Sequence, residues 1–240
     1  MRRLKMTHFL QEPAHCAVAS IACVTNYYNP EIDYEYVRDL AYKKIMSEED
    51  LKEQGLDSGQ MCLLLNLLGF YKVTLITSDL AVFDYSWANF GRKRLIKTLK
   101  DSCNKKEDEE EKETTKNVYK WLKKIDYDNN IKINFDFRKY IQQHLNRRKP
   151  VLLSYVWTMF QKFPKDGEDG NYDSINGDWV EHAVAANGYD DKGLWIVDSH
   201  HQFYKYKRKK YRKGFYKMSW DNLLTCLGQG DVILPEEYYE

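Results

Sequence analysis

The order of hydrophobic patterns along the chain predicts an α+β fold, with helices concentrated in the first third and antiparallel strands at the end. Three observations carry that prediction. Cys16 to Tyr28 is small or apolar around most of its surface, as in a helix buried between layers. Pro150-Val151-Leu152-Leu153-Ser154-Tyr155-Val156-Trp157 is a continuous β-prone run of the kind that fills a central strand. Trp179 to Tyr189 and Leu194 to Val197 flank Asp190-Asp191-Lys192-Gly193, a hairpin connection.

Taken in order, the first helix opens at Cys16 after a turn set by Pro13 and stops at Asn29-Pro30. Residues 31 to 53 read as one or two charged amphipathic helices, with Ile32, Tyr36, Val37, Leu40 and Ile45 near helical spacing. Ser58 is the expected N-cap of a helix from Gly59 to Leu68, striped with Met61, Leu64, Leu65 and Leu68. Gly69 ends it, and Tyr71 to Thr77 reads as a strand. Asp84 to Trp87 is expected as a loop and Arg92 to Leu99 as a short helix. Residues 104–116 hold no apolar side chain, so residues 104–117 are expected to be a charged surface insertion outside the core, a solvated helix or a mobile segment, with a docking surface as the functional alternative. Phe135 to Leu145 is a short amphipathic helix and residues 164–178 a polar, Gly-rich loop. Ser219 caps a helix from Trp220 to Leu227, and Asp231 to Leu234 closes as a strand. No repeat divides the chain, and residues 1–240 read as a single domain.

Composition bounds the function. The chain has 240 residues, 43% hydrophobic and 30% charged, with a net charge of +1. That is a globular composition with no global pull toward nucleic acid or membrane. No run has the length of a membrane span, and Met1-Arg2-Arg3-Leu4-Lys5 is not followed by a signal-peptide core, so the default location is cytoplasmic. Five cysteines, widely spaced and without a C-x-x-C pair, argue against a disulfide framework and a structural zinc site. Cys16 and Cys23, two helical turns apart, are separated by roughly 10 Å, too far to bridge.

The chemistry centres on Cys16. A cysteine at a helix N-terminus meets unpaired N–H groups and the positive end of the dipole, which favour the thiolate. Gln11, just upstream, carries an amide that can donate to an oxyanion near that sulfur. A thiol nucleophile needs a base, and the base a group that orients it. His182 opens one strand of the predicted hairpin and Asp198 ends the other, so their side chains can be neighbours. The predicted constellation is Cys16 as nucleophile, His182 as base, Asp198 as orienter and Gln11 as oxyanion donor. Cys23, Cys62, Cys103 and Cys226 read as structural. His15 adjoins the nucleophile but consecutive helical residues do not face each other. His200 and His201 follow Asp198 and compete as the base; with His182 they lack metal-ligand spacing. No cofactor is expected.

These segments resemble a known group. Gln11 to Ser20 is similar to the nucleophile motif of papain-fold cysteine peptidases of the bacteriocin-leader-processing (peptidase C39-like) branch, and Glu12-Pro13-Ala14-His15-Cys16 to its version in phytochelatin synthase. Gln54-Gly55-Leu56-Asp57-Ser58-Gly59 with Gly69-Phe70, Lys149-Pro150-Val151-Leu152-Leu153, Glu181-His182-Ala183-Val184, Gly188-Tyr189-Asp190 and Val197-Asp198 continue the resemblance in order. It implies a papain-like fold: a helical N-terminal lobe carrying the nucleophile and an antiparallel C-terminal lobe carrying His and Asp. It also implies an acyl-enzyme on Cys16. Ala17 stands where Gly usually follows the nucleophile, and Ser199 where Pro commonly follows the Asp. The glutamine lies one residue closer to the cysteine than in phytochelatin synthase. Hydrolysis of a peptide or amide, acyl transfer with the same triad, and an inactive papain-fold binding module stay open as functions. Lys205 to Lys213 holds seven cations among nine residues, read as a solvated edge, an acidic substrate or partner site, or, least favoured, a nucleic-acid surface. The expected partner is a peptide or protein substrate. Asp169-x-Asn171-x-Asp173 echoes a calcium loop without its Gly and terminal Glu.

Overall fold

In the computed structural model, which describes residues 3–161, 173–200, 214–228 and 230–239, seven strands form one sheet. They are β1 (Phe70–Thr77), β2 (Asn130–Ile133), β3 (Val151–Val156), β4 (Glu181–Asp190), β5 (Gly193–Val197), β6 (Phe215–Ser219) and β7 (Asp231–Tyr238). Their order is β2-β1-β7-β3-β4-β5-β6, parallel between β1 and β2 and antiparallel elsewhere. The fold is α+β, with β3 at the centre of the sheet as its apolar run predicts.

Helix α1 (Cys16–Tyr28) has the predicted bounds and buries every residue from Ala17 to Thr25. It packs on β4, where the Ser20 hydroxyl donates to the Ala183 carbonyl at 3.0 Å. That bond seats the helix beside His182. Helices α2 (Tyr34–Lys44) and α3 (Glu48–Gln54) fill the charged stretch, each capped by an acceptor side chain, Asp33 and Ser47. Helix α4 (Ser58–Leu67) corrects the expected cap. Asp57, not Ser58, is the N-cap, with Gln60 completing a capping box, while the Ser58 hydroxyl donates to Asp231.

Residues 80–130 hold more structure than the sequence suggested: a 3₁₀ turn at Tyr85–Asn89, then α5 (Arg92–Cys103) and α6 (Glu109–Leu122). The polar segment 104–117 supplies the first half of α6. Most of that half is exposed, but Thr115 and Asn117 are buried, which corrects the expectation that the segment stays outside the core. Both are satisfied: the Thr115 hydroxyl donates to the Glu111 carbonyl, and the Asn117 amide to Asp57 at 2.7 Å. Polar side chains entered the interior because hydrogen bonds met them there. Strand β2 is too short, at four residues, to announce itself by period. Among the described residues no helix is long and apolar enough to cross a membrane. The basic run 205–213 lies outside the described residues, as do Asp169 and Asn171 of the acidic loop.

Two predictions follow from this packing. A Cβ on Gly59 would stand within 2.6 Å of the Asn117 carbonyl carbon, so α4 and α6 touch backbone to backbone. Gly59→Ala is expected to cost about 1–3 kcal/mol, read as a lower thermal midpoint. Gly91→Ala, whose Cβ meets nothing within 4 Å, is the control. Asp231 is buried at 8% exposure with Oδ1 unpartnered, and burial pushes its carboxyl up to about 7. A carboxyl raised in the folded state keeps its proton where the unfolded chain has lost it. Its contribution to stability is therefore full below about pH 4 and declines until about pH 7. Asp231→Asn should flatten the fall of thermal midpoint between about pH 5 and 7.5; a slope equal to wild type would remove Asp231 as its source.

Candidate active site

The turn into α1 is built by His15. It is fully buried; its Nδ1 donates to the Pro13 carbonyl and its Nε2 meets the Tyr42 hydroxyl at 2.7 Å. Ala14 between them has φ 60°, a left-handed conformation uncommon for a residue with a side chain. His15 thus shapes the approach to Cys16 and has no place in the chemistry, as its neighbouring position implied. As N-cap it offers no side-chain acceptor to the helix. The first N–H groups of α1 therefore face the half-buried Cys16 side of the helix end without an intrahelical partner.

His182 enters the site from the start of β4. The β4–β5 pairing ends at Ala185↔Val197, so Asp198 lies one step past it, diagonal to His182 on the same side of the hairpin. His182 Nε2 donates to Asp198 Oδ1 at 2.9 Å. The ring's other nitrogen, Nδ1, is left for the sulfur, and the Cys16 and His182 side chains are close enough for each to shift the proton affinity of the other. The three residues predicted from sequence as nucleophile, base and orienter come together in that order.

Their electrostatics support a thiolate–imidazolium pair. Burial pushes the Cys16 thiol up, but the hydrogen bond and charge of His182, with the N–H groups of Ala183 and Ala17, outweigh it and bring it below the ordinary value. Burial alone would strip the proton from His182; the Asp198 charge and hydrogen bond, then Cys16, raise it to about 10 instead. Each ion depends on the other being present.

Asp198 is fully buried and held on every side. Oδ1 also accepts from the His200 N–H at 2.8 Å, and Oδ2 accepts from the Tyr216 hydroxyl at 2.9 Å. Tyr216 in turn meets the Tyr155 hydroxyl at 3.1 Å. The Asp198 N–H donates to the Gly214 carbonyl at 2.8 Å, and its carbonyl accepts from His8 Nε2 at 2.7 Å. Gly214 has φ 73°, and a Cβ there would collide with the Asp198 carbonyl and the His8 ring. Sequence reasoning missed Tyr216, Tyr155, His8 and Gly214. None carries a motif: Tyr216, His8 and Gly214 meet Asp198 through tertiary contacts, and Tyr155 reaches it through Tyr216.

The remaining predicted residues divide. Gln11 is tied to Ser199: its N–H donates to the Ser199 carbonyl at 3.1 Å and its Oε1 accepts from the Ser199 hydroxyl at 2.9 Å. His200 gives Asp198 a backbone N–H, and its ring packs 5.6 Å from His182 and 5.5 Å from Trp157. The base position against Asp198 belongs to His182; His200 is its neighbour. His201 lies outside the described residues. Among the described residues no group of three or more His, Cys, Asp or Glu side chains is arranged to hold a metal ion.

No protein-family profile and no curated protein sequence matches the chain. Among solved structures it is similar to a crystal structure described as a "putative C39-like peptidase from Bacillus anthracis", with TM-score 0.43 and 13% identity over 100% of both chains. The phytochelatin-synthase resemblance finds no counterpart in these matches. At that score and identity the likeness adds nothing to the geometry, and the functional reading stands on the residues above.

The ion pair makes a testable pH signature. Cys16 should be alkylated by iodoacetamide at about pH 6.5 faster than an ordinary thiol. In His182→Ala burial is opposed only by the Ala183 and Ala17 N–H groups, the thiol rises, and the rate at that pH should fall about tenfold or more. Gly214→Ala, which displaces Asp198, should move the rate in the same direction. Equal rates in wild type and His182→Ala would dissolve the pair.

Proposed function

We propose that this chain is a papain-like cysteine peptidase that cleaves a peptide or amide bond through an acyl-enzyme on Cys16. The observation that carries the proposal is the buried line from Cys16 through His182 to Asp198, which lowers the thiol and keeps the imidazole protonated.

The Cys16 thiolate attacks the carbonyl carbon, and the carbonyl π electrons move to oxygen. The Cys16 N–H, at the uncapped helix start, and the Gln11 side-chain amide are the proposed donors to that oxyanion. The tetrahedral intermediate collapses, the C–N bond breaks, and His182 gives its proton to the leaving amine. A thioester on Cys16 remains. Neutral His182 then takes a proton from water, whose oxygen attacks the thioester, and the second tetrahedral intermediate expels the thiolate and releases the acid. His182 ends protonated, as it began. Asp198 holds the ring with Nδ1 toward sulfur; its own oxygens are fixed by Tyr216 and the His200 N–H, so the ring has one orientation to adopt.

The test combines mass and cleavage. With limiting iodoacetamide, intact mass and peptide mapping should place the adduct on Cys16, and unfolded casein should be cut by wild type and not by Cys16→Ala. Adducts on Cys103 with Cys16 silent would overturn the proposal. A reactive Cys16 that cuts casein only when an amine is added, with that amine joined to the new C-termini of the fragments, would replace hydrolysis by acyl transfer.

A further inference from the structure

We infer that Ser199 is the positioning residue for the oxyanion donor: its hydroxyl and carbonyl hold Gln11 at two points and fix which end of the amide faces the substrate. The inference rests on the peptidase reading above and on Gln11 acting as donor within it.

Ser199 is 1% exposed and follows Asp198 directly. Its neighbours are immobilised: Asp198 by Gly214, His8, Tyr216 and His182, and the His200 N–H by the Asp198 carboxylate. Ser199 is thus a fixed frame, set by the same contacts that set the orienter. Gln11, on the extended N-terminal segment, closes a ring on that frame through its N–H and its Oε1. That segment is tied down upstream as well, where the Leu4 N–H donates to the Asn187 carbonyl at 2.7 Å and the Asn187 amide returns a bond to the Leu4 carbonyl at 3.0 Å.

The chemistry of the amide gives the ring its meaning. A glutamine amide has one accepting and one donating end, and only the donating end stabilises an oxyanion. The buried Ser199 hydroxyl needs an acceptor for its hydrogen and has Gln11 Oε1. With the amide flipped, the Ser199 hydroxyl would accept from Nε2 and its hydrogen would have to turn away from Gln11; in the observed rotamer that hydrogen is met by Oε1. The Ser199 hydroxyl therefore selects the rotamer in which Nε2 points away from Ser199 and can donate. Because Ser199 is joined to Asp198 by one peptide bond, the base-orienting and oxyanion-binding halves of the site share one anchor.

The experiment uses a peptide aldehyde, N-acetyl-Leu-Leu-norleucinal, which forms a hemithioacetal on the thiol and places its oxygen where the oxyanion forms. Its affinity is read as protection of Cys16 from iodoacetamide. Alkylation by iodoacetamide builds no oxyanion and is measured in each variant as the reference for thiol reactivity. Aldehyde affinity should fall roughly tenfold to a hundredfold in both. Ser199→Thr, which keeps the hydroxyl, should hold it near wild type, and Gln11→Ala/Ser199→Ala should lose no more than Gln11→Ala alone. Unchanged aldehyde affinity in Ser199→Ala overturns the inference, as does a loss that Ser199→Thr fails to restore or one that adds to the loss in Gln11→Ala. Loss of alkylation in His182→Ala tests the triad separately: its absence would fault the peptidase reading, while its presence with a silent Ser199→Ala would fault this inference alone.

Discussion

A carboxylate without solvent must have its oxygens met by donors or give up its charge, and Asp198 is the group on which this structure turns. Fully buried, it accepts from an imidazole, a backbone N–H and a tyrosine hydroxyl. Only with those partners can it carry a negative charge deep enough to hold a proton on His182 against burial. That imidazolium in turn reverses the effect of burial on Cys16. Breaking such a chain at one member leaves an uncompensated buried charge, a cost of about 3–5 kcal/mol. The surrounding architecture is intelligible as the means of delivering those donors to one carboxylate.

Four separate stretches of chain assemble the surroundings of Asp198 and His182. The hairpin β4–β5 brings His182 and Asp198 within reach, its turn closed by the Asp190 side chain accepting from the Lys192 and Gly193 N–H groups. Strand β6 adds Tyr216, opposite Ile196 on β5. The N-terminal segment adds His8, kept neutral by burial and therefore able to donate one N–H to the Asp198 carbonyl without adding charge to the site. Helix α1 brings Cys16, and Ser20 one turn on fixes the helix to Ala183, the residue beside the base. Cys16 and His182 are thereby set relative to each other by a backbone contact of β4, so the geometry of the pair does not rely on the flexible thiol alone.

What the sequence disclosed and what it hid divide along one physical line. The bounds of α1, the apolar β3 and the β4–β5 hairpin were legible because their signals are local: period, propensity and turn chemistry within a few residues. Cys16, His182 and Asp198 were legible because a helix start, a strand start and a strand end are places where such elements point side chains at one another. The burial of helix α6 was hidden because its first half has no apolar stripe, and Thr115 and Asn117 enter the interior through partners at Glu111 and Asp57. Asp57 displaced Ser58 as the cap because the Ser58 hydroxyl had a stronger claim on it from Asp231 at the far end of the chain. Tyr216, His8 and Ser199 were hidden for the same reason: each acts through a residue distant in sequence, and a single chain carries no local mark of a long-range hydrogen bond.

The five cysteines show how much of the chemistry resides in the surroundings. Burial pushes Cys23 up to about 12, Cys226 up to about 11 and Cys62 well above the ordinary value, and Cys103 rises as well. The same influence acts on Cys16, where burial is again the largest single effect. Cys23 lies on the same helix and even senses Asp198, which raises it further, because a carboxylate without an intervening imidazolium only repels a thiolate. The imidazole is thus what converts the negative charge of Asp198 from a hindrance into a support. Placed directly beside the sulfur, the carboxylate would disfavour the nucleophile; placed one ring away, it favours it. What sets Cys16 apart from the other four cysteines is the position of one histidine.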